Sequence, residues 1–160
     1  MKKAVLVLTL VLGTLVSNAQ TKLTSLGSFT SINKGGIGYG GLIEFGNVGI
    51  LYNRSANLTN DDATDYIYGR KSIYTAGTDI TNIGAYFKAN ASKSINAIYG
   101  LGYQSVTDIT TNGNINKETI FALLGSEFGI YNSPLSIRTD VMFSVYSPIA
   151  FNFGFTYKLK

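Results

Sequence analysis

The sequence predicts an all-β protein, a single antiparallel up-and-down β-barrel of eight strands that is transmembrane. Three observations predict it. Apolar and polar residues alternate with a period of two along most of the chain after residue 20. Charged residues are scarce at 14%, while aromatic residues reach 12%, Gly numbers 18 and Pro only 2. The segments between alternating stretches include two long ones, separated by short ones. A period of two sends successive side chains to opposite faces of a sheet. Soluble domains carry about 25% charge, whereas a barrel wall with lipid on one side needs far less.

The chain divides into a signal peptide, residues 1–19, and a barrel domain, residues 20–160. Lys2 and Lys3 precede an apolar run from Ala4 to Val16, and Ser17-Asn18-Ala19 supplies small residues before a cut. That is the three-part export pattern, and the run is too short for a typical spanning helix. Cleavage after Ala19 is expected. Without Lys2 and Lys3 the formal charge of +4 falls to +2, eleven basic residues against nine acidic. So small a balance gives no argument for a nucleic-acid partner. The chain has no Cys and no His. The first excludes disulfides and thiolate metal sites. The second removes the usual general base at neutral pH.

The strands follow in order. Lys22 to Ile32 is the first, assigned because an eighth strand is needed there, although Ser and Thr fill both its faces. In the second, Ile37, Tyr39, Gly41, Ile43 and Phe45 oppose Gly38, Gly40, Leu42 and Glu44. In the third, Val48, Ile50 and Tyr52 oppose Gly49, Leu51 and Asn53. Ile83, Ala85 and Phe87 oppose Asn82, Gly84, Tyr86 and Lys88 in the fourth. Ile95, Ala97, Tyr99, Leu101 and Tyr103 oppose Asn96, Ile98, Gly100, Gly102 and Gln104 in the fifth. The sixth, from Ile120, sets Leu124 and Phe128 against Leu123 and Glu127. The seventh sets Leu135, Ile137, Thr139, Val141, Phe143 and Val145 against Ser136, Arg138, Asp140, Met142 and Ser144. The eighth sets Ile149, Phe151, Phe153, Phe155, Tyr157 and Leu159 against Ala150, Asn152, Gly154, Thr156 and Lys158.

The second, fourth and sixth links are short, whereas Ser55 to Ile80 and Val106 to Glu118 are long. Short turns at one end and longer loops at the other are the habit of membrane barrels, and an even strand number puts both chain ends on the short-turn side. A two-residue turn at Gly46-Asn47 pairs Phe45 with Val48 and Ile43 with Ile50, keeping apolar faces together. Matching faces around Asn132-Ser133-Pro134 puts Glu127 opposite Arg138 or Asp140.

The last strand carries the most specific motif. Asn152, Gly154, Tyr157 and Leu159 fit a polar-x-Gly-x-x-aromatic-x-hydrophobic signal, with Lys160 one residue beyond it. In this the chain resembles the small outer-membrane β-barrel proteins of Gram-negative bacteria. The resemblance implies that barrel-assembly machinery reads these four residues. It also implies a cell outer-membrane location, with outer-membrane lipid as the surrounding partner.

Glu44, Lys88, Glu127, Arg138, Asp140 and Lys158 are expected to face inward. The interior of an eight-stranded barrel is just wide enough for side chains to fill, and buried charges must pair or cost several kcal/mol each. An ion-pair plug is the expectation, and a gated ion path is the sharper alternative. Tyr39, Tyr52, Tyr99, Tyr103, Phe128, Phe143, Phe151 and Tyr157 face lipid on this reading, some of them as interfacial belts. Gly35 to Gly41 resembles a phosphate loop but lacks its Gly-Lys-Ser/Thr ending and a following helix, so it reads as barrel wall. Asp61, Asp62 and Asp65 have the chemistry for calcium, but not the EF-hand spacing, and read as a solvated loop.

The expected function is therefore non-enzymatic: a structural or surface-loop binding protein without cofactor or metal, acting through its two long loops. The rival is a soluble, secreted β-barrel or sandwich that binds a small apolar ligand. In that case the Phe and Tyr faces would line the interior.

Overall fold

The computed structural model describes residues 22–33, 36–57, 75–110, 113–146 and 149–159. The leader at 1–19, Gly35, and the Asp61, Asp62 and Asp65 cluster lie outside these residues. Eight strands follow one another: β1 (Leu23–Asn33), β2 (Gly36–Phe45), β3 (Val48–Asn57), β4 (Thr75–Asn90), β5 (Ile95–Thr110), β6 (Gly113–Gly129), β7 (Leu135–Ser144) and β8 (Ile149–Lys158). Each pairs antiparallel with the next, and β1 pairs with β8, so the sheet closes on itself. Closure leaves the spanning wall without an unpaired edge, the condition for a sheet to survive in hydrocarbon.

The registers follow the pleat. Phe45 faces Val48 and Ile43 faces Ile50 across a turn in which Gly46 takes a φ of 63°. Glu127 faces Arg138 across the β6–β7 hairpin, where Asn132 adopts a φ of 55°. Both residue types tolerate the left-handed region that tight turns demand.

The two faces are sorted as a membrane barrel requires. Phe151, Phe153, Phe155 and Tyr157 are exposed on the outside of β8, while Asn152 and Thr156 between them are buried. Tyr39, Tyr52, Tyr99 and Phe143 are likewise exposed on the outer surface. The soluble rival requires these rings inside and the charges outside, and the arrangement is the reverse. A ten-residue strand such as β8 spans about 33 Å along its axis, which covers an apolar band about 25 Å tall once tilted.

Two sequence expectations need correction. Val106 to Glu118 is not a long loop. β5 runs on to Thr110, β6 starts at Gly113, and the two stay paired from Thr110↔Gly113 to Ser105↔Glu118. The apolar outward row lapses there, where Ser105, Thr107, Asn114, Asn116 and Glu118 occupy it, so the segment reads as loop although its backbone pairs. The Ser55 to Ile80 link is also shorter than expected, since β3 reaches Asn57 and β4 begins at Thr75.

Candidate functional site

The barrel interior concentrates the chemistry. Inward rows on β2, β3, β4 and β5 carry Gly, which leaves room for large side chains on the neighbouring strand. A Cβ built on Gly49 would lie 2.1 Å from the Tyr86 ring, and one on Gly102 would lie 2.3 Å from the Phe121 ring. Tyr86 and Phe121 are buried with Phe29, Leu42, Leu51, Ile98, Leu123 and Met142.

Five of the six expected ion-pair residues come together near the short-turn end. Lys88 Nζ donates to Glu44 Oε2 at 2.6 Å and to Glu127 Oε1 at 3.1 Å. The remaining carboxylate oxygens are also satisfied: Tyr86 donates its hydroxyl to Glu44 Oε1 at 2.7 Å, and Thr156 donates to Glu127 Oε2 at 2.9 Å. Asn96 adds a bond to Glu127 at 3.2 Å. Arg138 Nε donates to Asp140 Oδ2 at 2.6 Å, and Asn152 donates to Asp140 Oδ1. The Arg138 guanidinium also lies 4.0 Å from the centre of the Tyr86 ring, a cation–π contact joining the two ion pairs. The Arg138 side chain is 1% exposed and that of Glu44 is 0% exposed.

Lys158 does not join this cluster. It lies on the inward row of β8 but at its last position, opposite Ser25, and is exposed. The pleat sends it inward; its depth leaves it at the mouth, in water. The C-terminal motif is placed on both faces. Asn152 is buried, and Gly154 packs against Phe29. Tyr157 is exposed, and the Leu159 N–H bonds Thr24 O at 2.8 Å.

Sequence reasoning did not foresee a second polar cluster nearer the other end. Gln104 donates to Asn82 at 2.9 Å, Asn82 donates to Asn53 at 2.6 Å, and Ser144 donates to Gln104 at 2.6 Å. Asn33 and Ser55 exchange bonds beside it at 2.7 and 3.0 Å. All share the inward row of their strands, which was the available signal. Gly84 and Tyr86 separate Asn82 from Lys88 along β4, and the Phe121 ring lies over Gly84 and Gly102.

Above the apolar band the outer surface turns polar. Arg54 forms a two-pronged pair with Asp79 at 2.6 and 3.1 Å, which raises the guanidinium pKa above its ordinary value. Thr107 bonds Asn116 at 2.9 Å on the same face, and Lys117 pairs with Asp108 at 2.7 Å on the opposite one. Among the described residues no group of three or more acidic side chains is placed to hold a metal ion.

No protein-family model matches the chain, and none of the curated proteins matches it in sequence. Solved structures do match. The outer membrane protein Ail of Yersinia pestis in a phospholipid bilayer nanodisc aligns with a TM-score of 0.57 at 10% identity, covering 86% of this chain and 100% of that one. Ail in complex with the heparin analogue sucrose octasulfate aligns at 0.51 and 14% identity, over 86% of this chain and 97% of that one. A de novo designed transmembrane β-barrel aligns at 0.52 and 10% identity, over 86% and 95%. The chain thus has the fold of the small eight-stranded transmembrane barrels.

Proposed function

We propose that this chain is a non-enzymatic outer-membrane barrel whose interior is plugged by its own side chains and whose exposed loop end binds a surface partner. One observation carries the reading. The outward rows are apolar around the wall, while Glu44, Lys88, Glu127, Arg138 and Asp140 are buried and mutually paired inside. A wall of that kind is soluble only in lipid. An interior of that kind holds no open water column, because aqueous channels need about 16 strands.

The rest of the reading follows. Residues 1–19 direct export and are removed after Ala19. The assembly machinery reads Asn152, Gly154, Tyr157 and Leu159 on β8. The β1–β8 rim at Thr24 and Leu159 faces the periplasm, and the β5–β6 extension faces outward. Rigid scaffolds concentrate binding on such ends. The missing His and the full partnering of the interior carboxylates support a binding role over catalysis.

Fractionation of the native host with heat-modifiable gel migration tests the location. The expected result is an outer-membrane protein whose unboiled form runs faster than its boiled form. Recovery from the soluble periplasm would overturn it.

A further inference from the structure

The short-turn rim carries free charge of one sign. Lys22 precedes β1, Lys93 stands in the bend between β4 and β5, and Lys158 ends β8. All three are exposed, and none has an ion-pair partner among the described residues. Backbone bonds fix Lys158 at this rim: its N–H reaches Pro134 O at 2.8 Å, and the next N–H reaches Thr24 O at 2.8 Å. Among the described residues no exposed carboxylate lies there. The bore cluster behind it sets three carboxylates (Glu44, Glu127, Asp140) against two cations (Lys88, Arg138), one net negative charge that the three lysines outnumber. The other end of the barrel differs, for its exposed cations are matched: Arg54 meets Asp79, and Lys117 meets Asp108.

The lysines are also spread round the barrel. Lys22 and Lys158 flank the β1–β8 seam, and the β4–β5 bend with Lys93 lies on the opposite side, four strands away in either direction. A small ligand at the seam does not reach the bend, whereas a surface that encircles the barrel meets both. Depth says which surface. Tyr157 on the outward row of β8 and Tyr131 in the β6–β7 turn are exposed at the same end, and such rings settle at the level of lipid headgroups. Long lysine stems carry their ammonium groups into that polar layer.

We propose that Lys22, Lys93 and Lys158 form a ring that binds the phosphate groups of anionic phospholipids in the leaflet around the short-turn rim. An unpaired lysine beside a membrane surface favours anionic headgroups. A zwitterionic headgroup carries its own cation and gains less from the same lysine. The assignment rests on the membrane reading above and adds to it a lipid class and a side of the bilayer.

The measurement is electron paramagnetic resonance of spin-labelled phosphatidylglycerol and, separately, spin-labelled phosphatidylcholine, with the full barrel refolded into phosphatidylcholine vesicles. The motionally restricted signal reports lipid held against the protein. At low salt the anionic label should be enriched there about twofold or more over the zwitterionic one. In about 1 M salt, where the screening length falls to about 3 Å, the enrichment should vanish. Lys22→Gln, Lys93→Gln and Lys158→Gln together should abolish it, and the three changes to Arg should keep it. Arg54→Gln, which removes a cation from the other end, should leave it unchanged. Heat-modifiable migration confirms that each variant is folded. Should the triple Gln variant fail to fold, Lys93→Gln alone, in an exposed bend, should give a partial loss. Equal restriction of the two labels by the inserted parent, enrichment that survives loss of the lysines, or enrichment lost with Arg54→Gln would each overturn the proposal. So would lysine-dependent binding of polyglutamate without lipid enrichment, which would make an acidic protein the partner. A barrel that does not enter vesicles at all counts against the membrane reading, whereas an inserted barrel without enrichment counts against the lysine ring alone.

Discussion

Lys88 has a place that no surface lysine could occupy. It stands on β4 between Glu44 of β2 and Glu127 of β6, bonded to both. Truncating a buried ion pair on one side leaves charge without compensation, at a cost of about 3–5 kcal/mol. Lys88→Met should therefore lower unfolding stability by that order in urea titrations of the refolded barrel in vesicles. The triple change Lys88→Met with Glu44→Gln and Glu127→Gln should recover much of the loss. A single variant as stable as the parent would refute the paired interior. Gly49 makes a second test. A methyl there meets the Tyr86 ring that holds Glu44, so Gly49→Ala should cost about 1–3 kcal/mol through overpacking. At this scale the sequence was partly legible. Period-two reading assigned the inward face of Glu44, Lys88, Glu127, Arg138 and Asp140. It could not assign depth, which is why Lys158 was grouped with them. Nor could it say that Tyr86 joins the two ion pairs, since that contact crosses the bore between strands far apart in the chain.

For the elements, legibility tracked the solvent. Strands bathed by lipid on one face and packed on the other alternate sharply, and β7 and β8 were read almost to the residue. β1 alternates poorly because Ser28 and Thr30 sit on its outward row, yet it pairs from Ser25↔Lys158 to Ile32↔Phe151 with β8. The upper ends of β5 and β6 were missed because polar residues such as Ser105, Thr107, Asn116 and Glu118 fill the outward row there, which removes the pattern. Their role is separable from the wall. Val106↔Lys117 is the pair at which a two-residue turn would close the hairpin, and Asn-Gly suits such turns. Replacing residues 107–116 by Asn-Gly should therefore leave folding intact, with unchanged heat-modifiable migration. Failure of the shortened protein to fold would mean that the extension stabilises the wall.

Considered whole, the molecule inverts the usual soluble arrangement, with rings outside and charges within. A cation introduced midway up the outer wall should then be costly. Phe153, exposed at the middle of β8, is the natural position, and Phe153→Arg should destabilise the vesicle-inserted barrel by about 2–4 kcal/mol. The same substitution in detergent, whose micelle deforms readily, should cost less. A plugged bore also predicts planar-bilayer recordings without discrete conductance steps. The seam between β1 and β8 has a further consequence. Leu159 N–H reaches Thr24 O at 2.8 Å, so the first and last strands finish side by side at one rim. A short bridge across that gap, with a fresh break opened in the exposed bend at residues 91–94, would yield a circular permutant with the same wall and a different strand synthesised last.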